Sequence, residues 1–216
     1  MKKLFIISSC VVLGLTNFSA YAVDVKPFAG GNVSISGVAY SDDAKDGADY
    51  LGVDLPEAFF GLGFEAGLKF QTEKIYSAGV AFAYDYAFDS EADIDAYIDD
   101  YISSVKMGFS AWTLTFDNYL RVSGNAQHRQ DVVLGIGLGN ATERVKIDAT
   151  YLGKTYGLED VDESDDDTVV VFKVGYNYNI SEHVDWFVNG RLFVPTNSDS
   201  DVDALFNMSA GLRFLF

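Results

Sequence analysis

The most constraining feature of the sequence is strict alternation of apolar and polar residues in runs of about ten, with no apolar run long enough for a spanning helix. The last such run is the cleanest. Phe206, Met208, Ala210, Leu212, Phe214 and Phe216 fall on one face, and Asn207, Ser209, Gly211 and Arg213 on the other. A period of two puts successive side chains on opposite faces of a strand. A second run is almost as regular: Ala58, Phe60, Leu62, Phe64, Ala66, Leu68 and Phe70 alternate with Glu57, Gly61, Gly63, Glu65, Gly67 and Lys69.

The N-terminus determines how that alternation is read. Met1-Lys2-Lys3 is basic, Leu4 to Leu15 is mostly apolar, and Ala20-Tyr21-Ala22 has the small-x-small form of a cleavage site. Residues 1–22 therefore read as a secretory signal peptide and 23–216 as one domain. Cys10, the single cysteine, falls in the leader, so the exported domain contains no disulfide. An exported chain without a spanning helix but with many apolar alternating strands has one membrane solution. A closed β-barrel is the only structure besides a helix that satisfies every backbone group in lipid.

Further runs complete the pattern. Tyr76 to Tyr84, Trp112 to Val122, Val132 to Leu138, Val145 to Tyr151, Val170 to Tyr178 and Trp186 to Val194 each alternate, and a weaker first run spans about Val25 to Tyr40. Val105, Met107 and Phe109 also alternate, but the apolar phase flips before Trp112. A two-residue turn at Ser110-Ala111 would produce such a flip. On that reading the fold is all-β: a single antiparallel transmembrane barrel of ten strands, with eight as the alternative. The segment from Ser90 to Ser104 reads as a loop leading into a strand or as a short acidic helix. A soluble sandwich or lipocalin-like barrel also alternates. It is disfavoured because charges alternate with glycines on one face while large aromatics crowd the other.

The connections fall into two classes. Gln71 to Lys74, Ser110-Ala111, Asn140 to Glu143 and Asn179 to His183 read as short periplasmic turns. Ser41 to Glu57, Asp89 to Asp100, Gly124 to Gln130, Gly157 to Asp167 and Thr196 to Asp203 read as longer extracellular loops. The net charge of −17 is concentrated there, with 22 of 32 acidic residues in four of these loops. Such an exterior excludes nucleic acid as a partner. Two aromatic girdles are expected: Phe70, Tyr76, Trp112, Tyr178, Trp186 and Phe216 on the short-turn side, and Tyr40, Tyr84, Tyr86, Tyr101, Tyr151 and Tyr156 on the other.

The opposite face supplies a lumen charge network: Glu65, Lys69, Asp85, Lys106, Asp117, Arg121, Asp131, Arg144, Lys146, Asp148, Lys173, Asp185, Arg191 and Arg213. Charges of mixed sign in a narrow interior read as an ion-paired plug, with a charge-lined pore as the alternative. The carboxylates of Asp165 to Asp167 and of Asp199, Asp201 and Asp203 suggest weak Ca²⁺ or Mg²⁺ binding, although the full EF-hand spacing is absent. No other cofactor is expected.

Signal peptide, alternation, turn asymmetry and a terminal phenylalanine together resemble the small bacterial outer-membrane β-barrels, a class that includes opacity-like surface proteins and minor porins. The resemblance covers the whole exported chain and identifies no subfamily. It implies residence in the outer membrane of a Gram-negative bacterium, contact with lipid and lipopolysaccharide, and a monomeric barrel. It also implies that Phe216 is part of the signal read by the barrel-insertion machinery. The omptin proteases resemble this architecture too, with a histidine and acidic partners at the outer rim. Only His128 and His183 are available here, and no paired-acid motif accompanies them. The expected function is non-enzymatic, a surface-interaction or structural role of the acidic loops, with a narrow channel for small solutes or ions as the alternative.

Overall fold

The computed structural model describes residues 24–72, 75–94, 102–124, 128–151, 154–157, 164–197 and 200–216. Residues 1–22, expected from sequence as a leader, lie outside them. Eight long strands form the wall: β1 (Asp24–Tyr40), β2 (Ala58–Gln71), β3 (Tyr76–Ile94), β4 (Ile102–Ser123), β5 (Gln130–Tyr151), β6 (Ser164–Ser181), β7 (Val184–Pro195) and β8 (Val202–Leu215). Each pairs antiparallel with its sequence neighbours, and β1 pairs with β8, so the sheet closes without an edge. The seam pairs Phe28 to Tyr40 with Leu215 to Val202, and the Phe216 amide donates to the Pro27 carbonyl at 2.9 Å. Two short strands, Val53–Asp54 and Lys154–Gly157, add to the ends of β3 and β5.

The barrel therefore has eight strands, not ten. The residues expected to turn at Ser110-Ala111 lie in mid-β4, paired with Thr142 and Ala141 of β5. The turn expected at Asn140 to Glu143 is equally a stretch of unbroken strand. The phase flip has a different cause. β4 and β5 are each 22 residues long, about twice what a tilted strand needs to cross a bilayer. The backbone alternation continues without interruption, but the solvent outside changes. Within the bilayer Trp112 and Leu114 face lipid while Thr113, Thr115 and Asp117 are buried in the lumen. Above it Val105, Met107 and Phe109, on that same lumen face, are buried, and Lys106 on the other face is exposed. A barrel wall is apolar outward in lipid and apolar inward in water, so the apolar face switches where the strand leaves the membrane.

The outward belt is exposed and apolar to an extent no water-facing surface sustains: Val33 is 62% exposed, Phe60 70% and Leu114 53%. This is the lipid-facing surface. Aromatics border it on β3, where Tyr84, Tyr86 and Phe88 follow one another on the outer face. Two expected girdle residues move. Trp112 pairs in register with Tyr84 and so belongs to the long-loop side. Tyr40 is buried in the lumen, its hydroxyl donating to the Pro56 carbonyl at 3.0 Å.

The two ends are unequal. The turns between β2 and β3, β4 and β5, and β6 and β7 lie at the end that holds Asp24 and Phe216, the periplasmic end by the usual asymmetry. Gly124 to Gln130 belongs there and is not an outer loop. Gly124 makes this turn with φ of 91°, and a Cβ on it would lie 1.8 Å from the His128 carbonyl oxygen.

At the opposite end, the segment between β1 and β2 contains a helix, α1 (Asp42–Leu51), where sequence alone predicts only a loop. Ser41 caps it by accepting from the Ala44 amide, Asp42 and Asp43 sit in its first turn, and Gly52 ends it in the left-handed conformation. Residues 89–94, expected as loop or acidic helix, continue β3 and pair with β4 from Met107 to Val105 after an irregularity between Ala87 and Ser90. Residues 95–101 lie outside the described residues.

Candidate functional site

In an eight-stranded barrel the interior is just wide enough for side chains to fill it. Alternation sends every second residue inward, and here the lumen is divided into two compartments.

The lower compartment is charged. Among the described residues ten charged side chains are buried: Glu65, Asp85, Asp117, Asp131 and Asp185 against Lys69, Arg129, Lys173, Arg191 and Arg213. Five of each sign leave it formally neutral. Glu65 on β2 is the hub. It accepts from Lys173 Nζ of β6 at 3.1 Å and from Arg191 of β7 at 3.5 Å, and it is also bonded to Arg213 of β8. Lys173 reaches on to Asp117 of β4 at 2.8 Å, and Arg191 to Asp85 of β3. One layer nearer the periplasm, Lys69 of β2 donates to Asp131 of β5 at 3.0 Å. Arg129 pairs with the same carboxylate and also donates to Ser77 Oγ at 2.9 Å and to the Thr72 carbonyl at 3.2 Å.

Aromatic rings fill the space between the ions. The Arg213 guanidinium lies 4.4 Å from the ring centre of Phe28 and 4.8 Å from that of Phe187. Lys69 Nζ sits 4.7 Å above Tyr119, whose hydroxyl donates to Asp117 at 3.3 Å. All eight strands thus contribute a side chain to one cross-linked network spanning two layers. Buried charges need partners, and the pairs made by Glu65, Lys69, Lys173, Arg191 and Arg213 tie together strands far apart in sequence, whereas Arg129 and Asp131 are neighbours and both carboxylate oxygens of Asp185 are buried without a hydrogen-bond partner.

Glycines on the inward face make the room. A Cβ on Gly135 would lie 2.4 Å from Asp117 Oδ1 and 3.2 Å from Lys173 Cβ.

Of the fourteen residues assigned to the lumen from sequence, nine are buried together there: Glu65, Lys69, Asp85, Asp117, Asp131, Lys173, Asp185, Arg191 and Arg213. Arg121 shares the inward face of Tyr119 but is only partly buried, at the short-turn end. Lys106, Arg144 and Lys146 are on the outer face above the membrane. Lys146 and Arg144 reach Asp89 at 3.0 and 3.5 Å, and Arg144 lies 4.3 Å from the ring centre of Tyr86. Following the apolar phase past the point where it reverses is what places these three inward. Asp148 is on β5, and its side chain lies outside the described residues. Arg129 is not among the fourteen because its segment reads as a loop. Its position two residues before Asp131, on the same face, is the signal that could have found it.

The upper compartment is apolar. Tyr40, Phe59, Met107, Phe109, Val169, Val171, Phe193 and Leu205 form one buried cluster, with Phe59 and Phe109 edge to face at 5.2 Å. Val53 belongs to the cluster, and Ala44 and Leu55 pack against it. Between the two compartments lies a polar band where Asn207 donates to Ser36 at 2.9 Å.

Neither histidine is at the outer rim. His128 stacks on Tyr178 and His183 is in the turn after β6, both at the short-turn end. Among the described residues no group of three or more His, Cys, Asp or Glu is placed to hold a metal ion. Asp199 lies outside them.

At the sequence level no family model matches the chain, and no curated protein does either. Among solved structures the fold is similar to the outer membrane protein OprG of Pseudomonas aeruginosa, with a TM-score of 0.55 at 11% identity over 91% of this chain and 98% of that one. It is similar also to Ail, the attachment invasion locus protein of Yersinia pestis, with a TM-score of 0.51 at 14% identity over 89% and 99%. The chain has the fold of the small outer-membrane β-barrel proteins. Its edge-free sheet and apolar belt suit no other solvent than a bilayer. Its subfamily is not assigned by these likenesses.

Proposed function

We propose that this barrel is a non-conducting, non-enzymatic surface protein that presents an acidic, helix-bearing outer end to the environment. The supporting observation is the Glu65 hub, which holds cations from three strands across the lumen and is fully buried. A channel alternative would need a continuous wet path beside this layer. The five-to-five charge balance favours a plug, since a conducting lumen profits from an excess of one sign.

On this reading the outer end recognises its partners by negative charge, and they are cationic surfaces or divalent-bridged lipopolysaccharide rather than polyanions. Weak Ca²⁺ or Mg²⁺ association with Asp165 to Asp167 and Asp199 to Asp203 belongs to the same proposal. Liposome swelling tests the closed lumen. Vesicles containing the barrel should swell in a small sugar no faster than protein-free vesicles, and rapid swelling would favour the channel.

A further inference from the structure

Four of the five carboxylates in the charged compartment, Glu65, Asp85, Asp117 and Asp131, each accept from a lysine or arginine. Asp185 is fully buried, yet neither of its oxygens has a hydrogen-bond partner among the described residues. The charged groups that face it are Lys26 of β1, Lys69 of β2, Asp131 of β5 and Arg213 of β8. Each of these cations is engaged elsewhere. Lys69 donates to Asp131 at 3.0 Å and sits over Tyr119, Arg213 is bonded to Glu65, and Lys26 lies 3.7 Å from Asp24. Across the β6–β7 ladder Asp185 stands opposite Asn179, and both side chains are buried in the lumen. Side chains so opposed have Cβ atoms about 4.5–5.5 Å apart.

Asn179 Oδ1 is itself buried without a donor. Three acceptor oxygens thus meet with no hydrogen to share. A buried carboxylate ion in that setting is costly, and one proton both removes the charge and supplies the missing donor. We propose that Asp185 is the proton-binding site of the lumen: it takes up a proton from the periplasmic side while the four partnered carboxylates stay ionised, and its O–H donates to Asn179 Oδ1. The proton comes from hydronium and leaves water behind. The route is short, because Asp185 lies two residues past His183 in the exposed turn between β6 and β7. With Asp185 ionised the charged compartment is balanced; with Asp185 protonated it carries one net positive charge.

Infrared difference spectroscopy of the barrel in phosphatidylcholine vesicles tests this. Acidification from about pH 8 to about pH 5.5 leaves solvated aspartates and glutamates largely ionised. Over that range the unsubstituted protein should gain a carboxylic-acid C=O band equivalent to one group, and Asp185→Asn should not. The asparagine amide can donate to Asn179 Oδ1 without carrying charge. Asp185→Asn should therefore raise the urea midpoint at about pH 8, and the margin should shrink toward about pH 5.5 as the unsubstituted barrel takes up its proton. Asp131→Asn, which deprives Lys69 and Arg129 of their anion, should lower the midpoint at both pH values. The proposal fails if the unsubstituted protein gains no acid band, if the band persists in Asp185→Asn, or if Asp131→Asn behaves like Asp185→Asn. It fails equally if Asp185→Asn lowers the midpoint or does not fold at about pH 8, as a charged Asp185 paired with Arg213 or with a reversed Asn179 amide would require.

Discussion

Glu65 and Lys173, 108 residues apart, meet across the lumen with Nζ 3.1 Å from Oε2, both side chains almost wholly buried. Glu65 has two further cations on it, so its removal leaves three buried positive groups sharing fewer anions. Glu65→Ala should cost about 3–5 kcal/mol, the range for stripping one partner from a buried ion pair. Lys173→Met in that background should recover part of the loss. Urea unfolding in lipid vesicles measures both, and the coupling between the two sites should exceed about 1 kcal/mol.

Leu114 and Ser110 lie on one face of β4, four residues apart, with Trp112 between them. If the membrane ends near Trp112, arginine at the two sites should have very different effects. Leu114→Arg should cost about 2–4 kcal/mol and Ser110→Arg about 0–1 kcal/mol, because the penalty for charge on the lipid face falls steeply toward the interface. The same unfolding assay separates them. Equal penalties would mean that the strand does not leave the bilayer there.

Gly135 gives Asp117 and Lys173 their room. Gly135→Val would push its side chain into Asp117 Oδ1, where even a Cβ lies at 2.4 Å. A loss of about 1–3 kcal/mol is expected from overpacking. Gly47 in α1 is the contrast, since a Cβ added there would meet nothing within 4 Å. Gly47→Ala should fold without loss, and the lower helix propensity of glycine gives a small gain if any change is seen.

Topology is open to labelling, since the only cysteine in the sequence is Cys10, in the segment expected from sequence to be a leader. Asp46→Cys in α1 should react with an impermeant maleimide on intact cells. His128→Cys and Glu182→Cys should react only after the outer membrane is opened. Labelling of His128→Cys on intact cells would restore Gly124 to Gln130 to the outer side.

The wall is legible where one rule holds along a whole strand. Phe206 to Phe216 and Ala58 to Phe70 spend their length in lipid, so a single apolar face marks them. β4 and β5 mislead because they pass between two solvents, and the apolar face changes from Trp112 and Leu114 to Met107 and Phe109 while the backbone continues. From sequence a reversed phase and a tight turn look alike. The choice between them rests on pairing: the register of Ser110 with Thr142 and of Ala111 with Ala141 continues across the supposed hairpin. The lumen charges within the bilayer follow from the same alternation, and the three misplaced ones, Lys106, Arg144 and Lys146, all lie beyond the reversal. The α1 helix is signalled by Ser41-Asp42-Asp43 and Gly52, cap residues outweighed by the acidic composition of the segment.

Single-channel recording in a planar bilayer tests the closed lumen most directly. The purified barrel should give no steady conductance above the bare bilayer, and Glu65→Ala should give at most brief, irregular openings. Reproducible, ion-selective steps from the unsubstituted protein would contradict the account, because the layer joined by Glu65, Lys173, Arg191 and Arg213 could not then fill the lumen.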